Sequence, residues 1–256
     1  MCLPFCYPKK KGKHIGSPLS SLRWFYRQLI KVHIFVKSLN FVNITRQTIS
    51  KIKQGANKMP LVKKTESEMS ENDYLENELI SDIKHEYING YIYAMPGASE
   101  NHGLILQNMS REIGNSLIKN KSPCNVLSSD MKVRINDKST HYFYPDVVVF
   151  CDKHKHDTEY YKHSPIIIVE VLSKTTRKND KTSKKLTYFN IPTLQEYVLI
   201  EQDTCEVEVF RKSESWKSSV YFLGDKITFD SINTTIPVED IYYHVNNEDI
   251  NAFLND

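Results

Sequence analysis

The sequence predicts a mixed α/β (α+β) fold, in which helices pack against a mixed sheet. Two apolar runs rich in β-branched residues, at 147–150 and 166–169, are typical of strands buried on both faces. Helical patterns and hairpin signals alternate along the rest of the chain. Such an order favours one sheet with flanking helices and additional hairpins.

The first elements carry local signals. Ser70 stands at the N-cap position of a helix predicted over 70–79. Asn89 and Gly90 supply the positive φ angles of a type I′ turn, which predicts a hairpin over 86–95. A longer helix follows over 100–120, where apolar residues recur at i+4 spacing. These residues are Ile105, Met109, Ile113 and Leu117.

The later elements surround the two apolar runs. Strands are predicted over 125–135 and 140–150, and a central strand over 164–172 follows a polar loop. A helix over 176–190 ends near Pro192, because proline cannot continue a helix. Further strands and a closing helix are predicted over 196–201, 206–211, 220–223, 226–229 and 238–245.

Charge is distributed unevenly along the 256 residues. Residues 1–58 hold 12 of the 34 Lys and Arg residues and no Asp or Glu, which leaves 22 basic and 31 acidic residues after them. We predict a basic leader over 1–58 that is disordered or dispensable, a domain over 59–245 and an acidic tail over 246–256. A basic amphipathic helix or an organelle-targeting segment is the alternative for the leader. Because the domain is acidic, a site for a polyanion must be a local patch.

The leader can be tested by truncation. Protein that begins at Met59 should keep the melting temperature of the full chain, because the leader has no acidic partner for its cations. Thermal unfolding of both proteins checks this. A fall of more than a few degrees would show that the leader packs on the core, since roughly 1–2 kcal/mol shifts a domain of this size by several degrees.

The cysteine and hydropathy patterns indicate a compartment. No cysteine pair has the spacing of a zinc site, and Cys124, Cys151 and Cys205 are interpreted as small buried thiols in a reducing compartment. The apolar segment at 22–42 carries too many cations for a membrane span. We therefore expect a cytoplasmic protein with no membrane association.

Two carboxylates stand at the ends of the buried runs. Asp146 precedes the first run and Glu170 ends the second. Because an unpaired buried charge is costly, two such acids on adjacent strands favour a shared hard cation. Asp146 as a strand-entry cap and Glu170 as a salt-bridge partner of the basic helix are the structural alternatives.

The helix after Glu170 carries a basic segment. Asp180, Lys184 and Tyr188 stand at i, i+4 and i+8 and share one helix face. The cations form either a phosphate clamp or a solvated helix face. They are Lys174, Arg177, Lys178, Lys181, Lys184 and Lys185, opposed within the segment by Asp180.

Other polar residues have structural interpretations. Glu86 either lines the same site or is a surface acid, and His102 is interpreted as a capping or packing residue. Asp130 is expected to hold a turn. His154 and His156 are expected in an exposed polar loop.

Residues 59–245 resemble the Uma-two type of restriction endonuclease-like proteins, within the PD-(D/E)XK nuclease superfamily. The resemblance rests on an ordered set of motifs rather than on the Pro-Asp pair alone. The matching stretches are 85–95, His102, 129–133, 144–149, 169–173, Asp180, Lys184, Tyr188 and 195–200.

The resemblance implies a metal-dependent nuclease site. It implies Asp146 and Glu170 as ligands of Mg²⁺ or Mn²⁺, and a catalytic lysine two residues after the glutamate. Leu172 occupies that place here, so Lys184 on the following helix is its implied substitute. We also expect Glu86, Asp180 and Tyr188 to line the site. The residues expected to contact DNA are Lys174, Arg177, Lys178, Lys181 and Lys185.

The function that follows is hydrolysis of DNA phosphodiester bonds by a Mg²⁺-dependent endonuclease. One alternative is a catalytically inactive nucleic-acid-binding or assembly protein on the same fold, which Leu172 favours. Another is a metal-dependent hydrolase of a different phosphoester. DNA is the expected partner, and a homodimer is left open.

Overall fold

A computed structural model describes residues 67–135, 140–151 and 157–255, with side chains through residue 252. These residues belong to a compact unit that spans residues 60–256. The predicted leader, the residues between the strands predicted over 125–135 and 140–150, His154 and His156 lie outside the described residues. None of the described helices is both long enough and apolar enough to cross a membrane.

Helices and strands alternate largely as the sequence predicts. The helices are α1 (Glu71–Ile80), α2 (Glu100–Lys119), α3 (Arg177–Asn179), α4 (Lys185–Tyr188), α5 (Val238–Ile241) and α6 (Glu248–Asn255). A π-helical turn, Asp180–Lys184, joins α3 to α4. The strands are β1 (His85–Ile88), β2 (Tyr91–Ala94), β3 (Asn125–Ser128), β4 (Lys132–Ile135), β5 (His141–Phe143), β6 (Val147–Phe150), β7 (Tyr161–Lys162), β8 (Pro165–Leu172), β9 (Glu196–Glu201), β10 (Glu206–Arg211), β11 (Ser218–Phe222), β12 (Lys226–Phe229) and β13 (Thr234–Pro237).

The strands form three sheets. The largest has six strands in the order β11-β10-β9-β8-β6-β3, and its β8–β9 pair is parallel while its other pairs are antiparallel. A second sheet has the order β2-β1-β5-β4-β7, and the third pairs β12 with β13. Because β8 and β9 are parallel, a crossover must join them, and α3, the π turn and α4 supply it. The mixed sheet confirms the predicted fold class.

The predicted long strands over 125–135 and 140–150 are each broken in two. β3 pairs with β6 in the six-stranded sheet, whereas β4 pairs with β5 in the five-stranded sheet. Ser129 has a φ of 53° at the first break, and its N–H donates to the carbonyl of Asp146 at 3.0 Å. Pro145 at the second break has no N–H to extend a ladder. Asp146 therefore lies where the chain crosses between the two sheets.

Apolar cores cover both faces of the six-stranded sheet. On one face, the predicted stripe of α2 packs its buried side chains near Val147 and Val169. On the other face, Val148, Ile168 and Leu172 pack with Phe143 of the five-stranded sheet and with the crossover. Leu172 is fully buried in this second core, so its side chain fills apolar space.

The outer face of the five-stranded sheet is held by tyrosines beneath α1. Tyr74, Tyr87 and Tyr142 form a buried cluster. The hydroxyl of Tyr74 donates to the carbonyl of His85 at 2.7 Å, which ties α1 to β1. Because successive strand residues point to opposite faces, Tyr87 faces this cluster and Glu86 faces the other way. Glu86 is thereby directed towards the crossover.

One expectation for the cysteines differs from the structure. Cys124 and Cys151 are joined in a disulfide. The antiparallel register that pairs Asn125 with Phe150 places the two cysteines opposite each other. The interpretation of these two as free thiols is therefore wrong. Cys205 is a buried free thiol, as expected, and burial raises its pKa to about 11. The predicted tail contains α6, and the carboxylate of Asp249 accepts the N–H of Cys205 at 2.8 Å.

Candidate active site

Asp146 and Glu170 lie side by side on adjacent strands. β6 and β8 are antiparallel with Val147 opposite Val169, so the same register places Asp146 opposite Glu170. Directly opposed residues have Cβ atoms about 4.5–5.5 Å apart. The side chain of Glu170 points to the face that packs against the crossover, because it alternates with Val169 and Val171, whereas Asp146 directly precedes the first paired residue of β6. The two carboxylates therefore share one small volume.

The carboxylate of Asp146 is held from two sides. Its Oδ2 accepts the backbone N–H of Val171 at 2.7 Å. Its Oδ1 lies 3.0 Å from Nε2 of His102, which donates because a carboxylate can only accept. The Asp146 side chain is 15% exposed, so it keeps a path to solvent.

Glu170 is more deeply buried, at 4% exposure. Its Oε1 accepts the hydroxyl of Tyr188 at 3.0 Å and lies 2.9 Å from the ammonium of Lys184 in an ion pair. Within the described residues no donor reaches its Oε2. One oxygen of Glu170 is thus fixed by α4 and the π turn, and the other remains for a ligand.

The ammonium of Lys184 is surrounded by carboxylates. It lies 2.8 Å from Oε1 of Glu86, in an ion pair whose angles do not make an aligned hydrogen bond. Oδ1 of Asp180 is 3.8 Å away. The ring of Phe143 lies beside it, with its centroid 5.3 Å from the nitrogen. Lys184 therefore joins β1, β8 and the crossover at one point.

The crossover is not the regular helix that the sequence predicts. Asp180–Lys184 form a π-helical turn, a wider turn that is rare and frequent at functional sites. The hydroxyl of Tyr197 donates to the carbonyl of Asp180 at 3.0 Å, so this carbonyl is satisfied from the sheet. Asp180, Lys184 and Tyr188 are all buried against the sheet, as their i, i+4, i+8 spacing predicts.

The site carries more negative than positive charge. The carboxylates of Glu86, Glu170 and Asp180 lie within 3.8 Å of the ammonium of Lys184, and the charge of Asp146 acts on Glu170. Burial raises the pKa of Glu170 well above its usual range, because Lys184 offsets only part of that cost and the other carboxylates add to it. Burial likewise raises the pKa of Asp180. These shifts mean that the site favours additional positive charge.

The carboxylates raise the pKa of both basic side chains of the site, Lys184 and His102. Burial lowers the pKa of Lys184, but Glu170 and Glu86 raise it by more, so the amine stays protonated. Burial also lowers the pKa of His102, and the hydrogen bond and charge of Asp146 reverse that shift. Both cationic forms are therefore stabilised by the surplus of carboxylates.

The donor set suits a hard divalent cation. Carboxylate oxygens are the ligands that Mg²⁺ takes, and it binds through one or two carboxylates while it keeps several waters. In the described part of the chain, no group of three or more His, Cys, Asp or Glu side chains is arranged to hold a metal ion. Asp146 and Glu170 together provide two carboxylates, so a cation bound there would take its other ligands from water or substrate.

Three of the six cations in the predicted basic patch, Arg177, Lys181 and Lys184, are paired with acids. Arg177 lies 2.6 Å from Oε2 of Glu201, and Lys181 lies 3.1 Å from its Oε1. The ammonium of Lys185 lies 4.4 Å from the ring centroid of Phe210. Strand β9, outside the segment, thus brings Glu201 beside Arg177 and Lys181. Lys174 and Lys178 are exposed and have no ion pair among the described residues.

His102 is the residue whose position the sequence analysis missed. Its backbone N–H is capped by Oγ of Ser99 at 3.2 Å, as a residue near a helix start should be. Its ring, however, reaches across to Asp146. No local signal indicates this contact, because 44 residues separate the two. Asp130 forms an ion pair with Lys84 in the turn where it was expected.

Comparisons with known proteins identify the family of this chain. Residues 72–236 match the model of the Uma2 family, described as "putative restriction endonuclease". The chain belongs to the Uma2 family. This membership confirms the resemblance seen in the sequence motifs. The motif residues Asp146, Glu170 and Lys184 all fall within the matched range.

Relatives of this Uma2 protein occur in Synechocystis sp. (strain ATCC 27184 / PCC 6803 / Kazusa). The uncharacterized protein slr1290 is 33% identical over 176 residues, which cover 68% of this chain and 91% of the relative. The uncharacterized protein sll1609 is 36% identical over 146 residues, which cover 55% and 78% respectively.

A solved structure shares the fold. It is the crystal structure of "a putative nuclease belonging to DUF820" from Anabaena variabilis ATCC 29413. The match has a TM-score of 0.55 and 19% identity, and it covers 68% of this chain and 97% of the other. At that identity, the similarity supports the fold alone.

Proposed function

We propose that this protein is a Mg²⁺- or Mn²⁺-dependent endonuclease that hydrolyses phosphodiester bonds of DNA. The observation that carries the proposal is the pair Asp146 and Glu170 on adjacent strands, with the ammonium of Lys184 bound to Glu170 at 2.9 Å. Membership of the Uma2 family supports the same reaction class.

Asp146 and Glu170 would hold the cation. When bound, the metal supplies charge neutralisation on the phosphate and lowers the pKa of a water. Asp146 and Glu170 offer carboxylate oxygens, and the raised pKa of Glu170 marks a charge that a divalent cation would compensate. Tyr188 holds Glu170 in place through its hydroxyl.

Lys184 would supply the positive charge that Leu172 cannot. A fixed ammonium stabilises the charge that develops on the phosphate in the transition state. Leu172 is buried in the core, whereas the crossover brings an ammonium to 2.9 Å from Glu170. We assign Glu86 and Asp180 to holding that ammonium, since both carboxylates face it.

DNA would approach over the exposed start of the crossover. Lys174 and Lys178 are exposed there, so they are the candidates for phosphate contacts. Arg177, Lys181 and Lys185 would contribute less, because their side chains are occupied by Glu201 and Phe210. A homodimer and a cytoplasmic location stay predictions.

A non-catalytic nucleic-acid-binding protein is the second candidate. The burial of Leu172 favours it, because the strand position of the superfamily lysine is filled by an apolar side chain. In that case the site would still hold the Lys184 ion pairs and would simply lack turnover.

Plasmid nicking separates these functions. Purified full-length protein should nick supercoiled DNA with Mg²⁺ or Mn²⁺ and fail to do so with EDTA. Equal nicking in EDTA would contradict metal dependence. DNA binding without nicking under any metal would favour the second candidate. A parallel assay on RNA and on a small phosphate monoester identifies the substrate class.

A further inference from the structure

We infer that His102 is a positioning residue, whose ring N–H orients the carboxylate of Asp146 towards the cation position shared with Glu170. The inference rests on the proposed function, because it assigns a task within the same site. His102 touches Asp146 rather than the reacting atoms, so it acts through that carboxylate.

The two oxygens of Asp146 are held by two different elements. His102 on α2 donates to Oδ1 at 3.0 Å, and the backbone of Val171 on β8 donates to Oδ2 at 2.7 Å. Two donors on different oxygens fix the rotation of a carboxylate about its bond to Cβ. The strand that carries Glu170 therefore also orients its partner, and His102 completes that orientation.

His102 is itself anchored to the same strand end. Oγ of Ser99 accepts the N–H of His102 at 3.2 Å and donates to Oε1 of Gln202 at 2.5 Å. Nε2 of Gln202 donates to the carbonyl of Leu172 at 2.9 Å. These hydrogen bonds connect the end of β8 to Asp146 through His102, in addition to the direct bond from Val171. Asp146 is therefore held both by the start of α2 and by the end of β8.

The burial of the His102 ring also fits a residue that orients a metal ligand. The His102 side chain is only 13% exposed and ends on the carboxylate. Groups that hold metal ligands typically change metal affinity by about 10–100-fold when they are removed. A hydrogen-bond donor of the same reach should therefore replace the ring, whereas a ligand of the metal should not be replaceable in this way.

The test compares three variants of the full chain by calorimetry with Mn²⁺. His102→Leu keeps bulk but loses the donor, so its affinity should fall about 10–100-fold. Glutamine offers an N–H at a reach close to that of Nε2, so His102→Gln should bind within about threefold of the unaltered protein. Asparagine is one methylene shorter, so His102→Asn should bind as weakly as the leucine variant. Melting temperatures of the metal-free proteins should agree within a few degrees.

Each outcome decides between interpretations. Equal Mn²⁺ affinity in His102→Leu would overturn the positioning role while the proposed function stands. Weak binding by His102→Gln would also overturn it, because the ring would then act as a ligand. Should the leucine variant fail to fold, the comparison of glutamine with asparagine gives the same decision. No Mn²⁺ binding by the unaltered protein would overturn the proposed function, and this inference with it.

Discussion

Asp146→Asn and Glu170→Gln should each abolish measurable Mn²⁺ binding while the domain stays folded. Each change replaces one carboxylate oxygen by an N–H₂ group that cannot bind a cation, and leaves the shape of the side chain unchanged. The remaining acid alone would offer too few oxygens, since the described residues provide no larger cage. Calorimetry with Mn²⁺ on the metal-free proteins measures the effect.

A matched control comes from a carboxylate outside the site. Glu208 lies on β10, half-buried, and its nearest cation is Lys181 at 4.0 Å. Glu208→Gln should therefore bind Mn²⁺ as the unaltered protein does. Unchanged affinity in Asp146→Asn or Glu170→Gln would remove the proposed metal site. Loss in all three would indicate a general charge effect.

Glu170→Gln should also stabilise the metal-free protein. Burial raises the pKa of Glu170 well above its usual range, so its ionised form costs folding free energy at pH 7. Lys184 keeps Glu86 and Asp180 as partners when that charge is removed. We expect a rise in melting temperature of about 2–4 °C in EDTA, the shift that about 1 kcal/mol gives in a domain of this size.

The stability gained by Glu170→Gln should depend on pH. An acid whose pKa is raised by folding binds more protons in the native state, so its ionisation lowers stability as pH increases through the raised pKa. The advantage of Glu170→Gln should therefore shrink as the pH is lowered and Glu170 itself becomes neutral. An advantage that grows towards acid would contradict the assignment of the shift to Glu170.

Local signals in the sequence predicted the elements that lie around the site. Asn89 has a φ of 47° and Gly90 a φ of 90°, as the predicted type I′ hairpin requires. The α2 stripe is buried because residues four apart lie on one face of a helix, and an apolar face packs against the core. The adjacency of Asp146 and Glu170 followed from two apolar runs, since buried strands of one core tend to pair.

Long-range contacts could not be predicted in this way. The ion pairs of Arg177 and Lys181 depend on β9 lying parallel to β8, which places Glu201 beside the crossover. The break between β3 and β4 depends on Ser129 adopting a positive φ, which serine has little intrinsic tendency to do. His102 reaches Asp146 only because α2 packs on the sheet.

The disulfide bears on the expected compartment. Cys124 and Cys151 are joined at the end of the β3–β6 pair, and such bonds persist mainly in oxidising environments. The sequence spacing of 27 residues gives no sign of this pairing, which arises from the antiparallel register. A cytoplasmic location stays a prediction, and the disulfide is the observation that speaks against it.

Lys184→Ala should lower the rate of DNA cleavage by about a hundredfold or more, the size expected when one transition-state donor is lost. The amine is buried, protonated and bound to Glu170, so no neighbouring cation can take its place. Lys184→Arg should rescue poorly, because the planar fork of arginine differs from a compact ammonium. Single-turnover cleavage at saturating protein and metal measures the chemical step.

Lys185→Ala is the matched control, because it removes the same charge from the next residue. Its ammonium lies over Phe210, so the change should cost about 0.5–1 kcal/mol of stability and leave the cleavage rate within a few-fold. Lys178→Ala removes an exposed cation and should reduce the salt dependence of DNA binding by about one unit at an unchanged rate. If Lys185→Ala loses the chemistry and Lys184→Ala keeps it, the crossover register around the site is wrong by one residue. If neither variant loses the chemistry, the catalytic ammonium does not come from this crossover.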